Sequence, residues 1–322
     1  MKLSIYGLVL AILIISYATI SRAEEPANKP WHITLTAGMG HNDNVPRVDG
    51  SLLLSDVLAN IKRRESLLGR FTVDATYDLI RTDQHILTLG YNMFTDRNFS
   101  GGNLDKLDYL EHGIWVGYQK KLTPNTIGSL KLSGRYNSYG THHVRNVAGI
   151  EPAIVYRLNN ILSVGLNGLF QMNDLKNRPL FGGARNADQS GEVYQLTPVV
   201  YFSVPNTGIK ANVRYRTGRN RTEGGGFDYN EDAVSAGISL QLPWQVSADM
   251  TFWHYWRDYD DLGPTVTRER KDDIDTYKVI ATRPITDSTQ FYINFEHTQM
   301  QSNGVFFEYR QNVVTSGIII TF

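Results

Sequence analysis

The stretch Val313-Val314-Thr315-Ser316-Gly317-Ile318-Ile319-Ile320-Thr321-Phe322 decides the reading of this chain. Counting back from Phe322, every second residue is Ile320, Ile318, Ser316 and Val314, so mostly apolar side chains share one face of an extended segment. Period 2 sustained over such a stretch is the signature of a β-strand. The same period recurs upstream through nearly the whole chain.

Read this way, residues 31–322 divide into fourteen strands: 31–40, 66–79, 85–95, 107–120, 126–137, 145–157, 161–171, 191–203, 209–219, 230–241, 245–256, 272–283, 288–299 and 308–322. Connections after the even strands are tight, as at 80–84, 121–125, 158–160, 204–208, 242–244 and 284–287. Those after the odd strands are mostly longer, including 41–65, 172–190 and 257–271. Twelve to sixteen strands remain compatible with the pattern. In Ile209-Lys210-Ala211-Asn212-Val213-Arg214-Tyr215-Arg216 the apolar and polar side chains occupy opposite faces, and Leu130-Lys131-Leu132-Ser133-Gly134-Arg135-Tyr136 repeats the split. A soluble sandwich alternates in the same way. Length separates the two, because a tilted strand crossing hydrocarbon needs about 9–11 residues whereas soluble strands run about 5–6. The fold expected is therefore all-β: a transmembrane antiparallel up-and-down β-barrel of about fourteen strands. Aromatic residues add two rims, Tyr77, Tyr118, Tyr156, Phe202 and Trp244 toward the short turns, and Phe94, Tyr136, Phe170, Tyr215, Trp256 and Tyr309 toward the long loops.

The carboxyl-terminal strand resembles the last strand of bacterial outer-membrane β-barrels. That resemblance implies that Phe322, Ile320 and Ile318 form a signal read by the barrel assembly machinery, and that removing Phe322 impairs assembly. The amino end agrees. Met1-Lys2 is a short positive segment, residues 3–20 are apolar, and Ser21-Arg22-Ala23 supplies small residues for cleavage before Glu24, so residues 1–23 read as a signal peptide. Residues 24–30 then form a short periplasmic segment and 31–322 the barrel, with both termini in the periplasm. Beyond residue 23 no apolar run reaches the roughly 18 residues of a transmembrane helix, and the mean hydropathy is −0.30. The chain has no Cys, so no disulfide can staple it and hydrogen-bond closure must stabilise the fold. Lys and Arg equal Asp and Glu at 32 each, and removing Lys2 and Arg22 leaves a net charge of −2, a balance that excludes nucleic acid as a partner.

If the apolar faces meet lipid, the inward side chains include Arg70, Asp74, Glu111, Gln119, Lys131, Arg135, Glu151, Lys210, Arg214, Arg216, Asp249, Lys278 and Glu296. A charge on the lipid face near the midplane is destabilising by about 2–4 kcal/mol for Arg or Lys, so these groups should point inward. Seven are basic and five acidic, giving a weakly cationic lumen. Fourteen strands make a barrel wider than eight, whose side chains fill the interior, so an aqueous passage is physically possible. The row Lys210, Arg214 and Arg216 is the leading candidate for a selectivity stripe, with Lys131, Arg135, Asp249 and Glu296 as further lumen candidates. Opposite charges could equally pair across the lumen into a closed plug. Loop 41–65 carries Val57, Leu58 and Ile61 at helical spacing, and a short helix there would cap or enter the pore.

Sites for covalent chemistry are weak. Ser138, His142, His143 and Asn146 gather after the fifth strand with the residue types of a lipid hydrolase. Their spacing lacks the His-x-Ser arrangement of the outer-membrane phospholipase and no acidic partner is identifiable, so no catalytic residue is assigned. Asn42-Asp43-Asn44 and Asp258, Asp260 and Asp261 offer oxygen ligands without a calcium-loop pattern, so no metal or cofactor is expected. Lys62, Arg63, Arg64, Arg268 and Arg270 suit the phosphates of lipopolysaccharide, an expected partner together with outer-membrane lipids.

The segment Gly40-His41-Asn42-Asp43-Asn44-Val45 resembles the Gly-x-x-Asp-Asn-Val opening of putative β-barrel porins and of the C-terminal barrel of surface lipoprotein assembly modifiers. The second family has a fourteen-strand barrel, and its tetratricopeptide repeats have no counterpart before strand one here. The resemblances imply two functions, a porin-like channel for small hydrophilic solutes, and an export or assembly pore for a lipoprotein or polysaccharide working with a separate periplasmic partner. A lipid hydrolase stands third.

Overall fold

The computed structural model describes residues 29–45, 65–101, 103–140, 142–176, 189–224, 226–260, 269–304 and 307–322. The expected signal peptide, most of the expected periplasmic segment, the part of loop 41–65 expected to be helical, Lys62, Arg63, Arg64, Asp261, Arg268 and the side chain of His142 lie outside these residues.

Fourteen antiparallel strands close into one barrel, each hydrogen-bonded to its sequence neighbours and the first to the last. They are β1 (Trp31–Asn42), β2 (Ser66–Arg81), β3 (His85–Asn98), β4 (Tyr109–Thr123), β5 (Thr126–Tyr139), β6 (His142–Arg157) and β7 (Leu162–Leu175). The second half comprises β8 (Gly191–Val204), β9 (Ile209–Thr222), β10 (Tyr229–Leu242), β11 (Val246–Tyr259), β12 (Lys271–Pro284), β13 (Thr289–Ser302) and β14 (Tyr309–Thr321). Closure leaves no unpaired sheet edge, which is what lets a β-structure sit in hydrocarbon. Period 2 then sorts the side chains. Met39, Leu67, Leu89, Ile114, Leu132, Ile150, Met172, Leu196, Val213, Met250, Ile293 and Val314 are exposed on the outer face, an apolar band for lipid.

Tight turns join strands at the end holding Trp31 and Thr321. Asn159 Oδ1 accepts hydrogen bonds from the Ile161 and Leu162 backbone N–H groups, and Asn206 and Gly208 adopt the positive φ that such turns need. At the opposite end, most strands run two to four residues further than the alternation alone indicates. The expected loop after the fifth strand is absent: Tyr139 pairs with His142 and Ser138 with His143, leaving only residues 140 and 141 between β5 and β6.

Two prolines mark the middle of the wall. Pairing of β6 with β7 skips from Ile150–Phe170 to Ala153–Asn167 around Pro152, and β8 with β9 skips from Leu196–Thr217 to Val199–Arg214 around Pro198. Proline carries no N–H for the ladder, so pairing lapses there.

The closing seam is built on glycine. One ladder row runs Arg70, Gly38, Gly317, Tyr292 across β2, β1, β14 and β13. A Cβ on Gly317 would lie 2.0 Å from the Ala37 carbonyl oxygen, and one on Gly38 would lie 2.0 Å from the Tyr292 hydroxyl. On the outer face Ile320 is buried and Ile318 pairs between Ala37 and Phe291, while the Phe322 backbone N–H donates to Ile33 O at 2.9 Å.

The aromatic rims are placed as expected for Tyr77, Tyr118, Tyr156, Phe202, Tyr136, Tyr215 and Trp256, all exposed on the outer face, and Trp244 projects from its turn. Phe94 and Tyr309 are corrections. Phe94 lies inside beneath the Arg70 guanidinium, 5.1 Å from its ring centroid, and Tyr309 lines an inner chamber, because each falls on the polar parity of its strand.

Candidate functional site: the charged lumen

All thirteen side chains assigned inward by parity lie on the inner face, opposite the exposed apolar residues of their own strands. The cations concentrate on one side. Between β4 and β9 stand Lys131, Arg135, Lys210, Arg214 and Arg216 with Glu111, Glu151 and Gln119; on β2 and β11–β13 stand Arg70 and Lys278 with Asp74, Asp249 and Glu296. The first wall therefore has a surplus of positive charge and the second a surplus of negative charge.

Three networks organise these charges. Arg70 on β2 forms a bidentate pair with Asp96 on β3, both contacts 2.8 Å, and reaches Glu296 on β13 at 2.8 Å. It crosses the seam along the row where Gly38 and Gly317 present no side chain. Glu296 also meets Lys278 at 3.6 Å and Asn294 Nδ2 at 2.8 Å. Glu231 on β10 is the second hub. It is 4 % exposed, meets Arg216 at 3.6 Å and Arg257 at 2.8 Å, and accepts from Gln195 at 3.4 Å. Arg216 stacks over Trp253 at 4.5 Å and Arg257 over Tyr229 at 4.9 Å. The third network lies between β4 and β7, where Lys131 pairs with Glu151 at 3.1 Å and Arg135 donates to Gln171 Oε1 at 2.8 Å.

Sequence parity placed these groups inside and gave no pairs. Arg216 is paired, so the uncompensated part of the Lys210, Arg214 and Arg216 row is Lys210 and Arg214, neither of which has an ion pair among the described residues. Asp249 accepts from Ser239 across β10 and β11. Asp96, Glu231, Arg257 and Asp272 were missed. Asp96 and Arg257 lie just beyond the expected strand ends; carrying the alternation of β11 on from Asp249 would have found Arg257, and that of β3 on from the polar Asn92 would have found Asp96.

The interior holds two adjoining polar chambers. One of about 480 Å³ lies at mid-strand, bordered by Trp115, Lys131, Arg135, Glu151, Arg214 and Trp253. The other, about 360 Å³, opens toward the long connections and is bordered by Arg145, Glu231, Arg257, Tyr259 and Arg270. Leu169, Gln171, Gln195 and Arg216 line both, and so mark where the two adjoin. At the upper margin Arg270 is buried, bound to Asp272 at 2.5 and 2.8 Å and stacked on Tyr259 and Phe307 at 4.4 and 3.4 Å. Its guanidinium is directed inward and already partnered, which corrects its assignment to surface phosphate.

The other candidates serve the wall. Asp43 accepts from the backbone N–H and the amide of Asn312, both at 2.6 Å, Asn44 donates to Arg310 O at 2.7 Å, and Asn42 Oδ1 accepts from Gln311 at 3.0 Å. The Gly-x-x-Asp-Asn-Val segment thus latches β1 to the start of β14. Asp258 pairs with Lys271 at 2.9 Å and Asp260 with Arg219 at 2.5 Å. Of the hydrolase candidates, His143 stacks on Tyr136 at 4.4 Å and bonds Asn146 Oδ1 at 3.0 Å. Ser138 is buried and its hydroxyl makes no hydrogen bond to His143 among the described residues, so these two are not joined as nucleophile and base.

No protein-family model matches the chain, and no curated protein sequence matches it. Solved structures do. OmpT, an outer membrane protein of Vibrio cholerae, is 9 % identical with a TM-score of 0.50 over 93 % of this chain and 100 % of that one. An anion-selective porin from Comamonas acidovorans is 10 % identical with a TM-score of 0.47 over 91 % and 98 %, and the monoaromatic hydrocarbon channel CymD 8 % identical with 0.46 over 92 % and 89 %. The closed strand order, the exposed apolar band and the first of these likenesses agree on one fold, that of a bacterial outer-membrane β-barrel.

Proposed function

We propose that the protein is an outer-membrane channel for the passive passage of small hydrophilic solutes through a polar, weakly cationic lumen, acting without covalent chemistry. The observation that carries the reading is the pair of adjoining polar chambers inside the barrel, which share Leu169, Gln171, Gln195 and Arg216. Charged walls of opposite surplus orient a polar solute, and the cationic side from β5 to β9 favours anions. The outer apolar band fits outer-membrane lipid. In this reading the tight turns and both termini face the periplasm, and the β14 face with Ile318, Ile320 and Phe322 serves the assembly machinery.

Proteoliposome swelling tests whether the passage where the chambers adjoin sets a size limit. Monosaccharides should enter freely and trisaccharides much more slowly, and replacing Arg216 with alanine should relax that limit. Equal exclusion of all sugars would sink the reading.

A further inference from the structure

We propose that the mid-strand chamber is a binding site for a small dicarboxylate, held by Arg135 and Arg214, so that the channel selects its solute as well as admitting it. The inference rests on the channel reading above and names the solute class of the same lumen.

Four cations border this chamber, and two of them are paired with carboxylates of the protein. Lys131 pairs with Glu151, and Arg216 pairs with Glu231. The other two are not. Arg135 has only the neutral amide oxygen of Gln171 as its partner. Arg214 has neither ion pair nor hydrogen bond among the described residues, and its Nε is buried with no acceptor. The remaining carboxylate of the chamber, Glu111 on β4, is engaged by the Tyr109 hydroxyl at 2.7 Å and the Asn137 amide at 2.6 Å rather than by either arginine. Two guanidinium groups on β5 and β9 thus border one chamber, and neither has an ion pair among the described residues.

A buried donor without an acceptor is destabilising, and in most proteins it is met by a partner. A guanidinium is a planar fork that matches a carboxylate in two parallel hydrogen bonds, so the missing partner has the chemistry of a carboxylate. Two such groups call for two negative charges on one solute. Asn92, Asn167, Gln195 and Thr197 also line the chamber and offer hydrogen bonds to a polar body, beside a smaller apolar wall that includes Trp115, Leu169 and Trp253. Charge, geometry and lining agree on a small, polar dicarboxylate.

Succinate is the probe. With the protein in a planar bilayer carrying chloride current, succinate should reduce that current with half-effect in the low millimolar range. Acetate should be at least tenfold weaker, and Arg135→Gln and Arg214→Gln should each weaken the succinate effect by tenfold or more. Lys271→Gln, on the outer rim, should leave it unchanged. Calorimetric titration of succinate into the detergent-solubilised full chain reads the same site without current, and should lose its signal in Arg214→Gln. Equal reduction by hydrogen phosphate would show that charge alone is read and would overturn the dicarboxylate assignment. Conductance with no succinate effect and no heat of binding overturns the site and leaves the channel standing; binding without conductance does the reverse.

Discussion

Replacing Glu231 with alanine is expected to destabilise the folded barrel by about 3 kcal/mol, read as a lower urea midpoint for the protein in lipid. Glu231 is 4 % exposed and holds two arginines at once, Arg216 at 3.6 Å and Arg257 at 2.8 Å. Removing one partner from a buried ion pair strands the other charge, at a cost of about 3–5 kcal/mol. Both arginine side chains keep about a fifth of their surface open to lumen water, which places the effect at the low end. Loss of the carboxylate also frees Arg216, which lines both chambers, so the same variant should raise anion selectivity. Glu231→Gln preserves the shape and loses the charge, and should show the selectivity change with a smaller loss of stability. An alanine variant as stable as the parent would mean that the two arginines find other acceptors.

Gly317→Val should prevent most of the chain from closing. The β1–β14 pairing is the one that converts a sheet into a barrel, and its register covers nine residue pairs, fewer than any other seam. A Cβ on Gly317 would lie 2.0 Å from the Ala37 carbonyl oxygen and 2.5 Å from the Gly38 Cα, so backbone rather than a side-chain tip must move. Overpacking of this kind is destabilising by about 1–3 kcal/mol where side chains can yield, and more where the backbone must. The bulk would also block the lane through which Arg70 reaches Glu296. The expected result is a large drop in the fraction of unboiled protein with folded mobility on a gel. Normal yield of folded barrel would show that the seam tolerates a side chain.

Period-2 alternation made the barrel legible because one face of every strand must satisfy lipid. It named Lys131, Arg135, Lys210, Arg214, Arg216, Asp249 and Glu296 as inward for the same reason. Strand ends on the long-connection side were less legible. Stretches such as Asp96-Arg97-Asn98 and Arg219-Asn220-Arg221-Thr222 continue the ladder where both faces are polar, so hydropathy carries no period there. The bonds within the lumen were hidden for a different reason. Arg70 and Glu296 are separated by 226 positions and meet only because β1 closes on β14. Glu231 reaches Arg216 along a diagonal, two positions from the Ala233 that opposes it. Such partners follow from register, which alternation does not contain. The short β5–β6 hairpin was missed because Gly140, at φ 55°, turns the chain in two residues among polar neighbours that read as loop.

Single-channel recording in a planar bilayer tests the channel itself most directly. Purified, folded protein should produce discrete conductance steps, and a potassium chloride gradient should shift the reversal potential in the direction of chloride preference. Folded protein that inserts and passes no current, or a current that prefers potassium, would contradict the account.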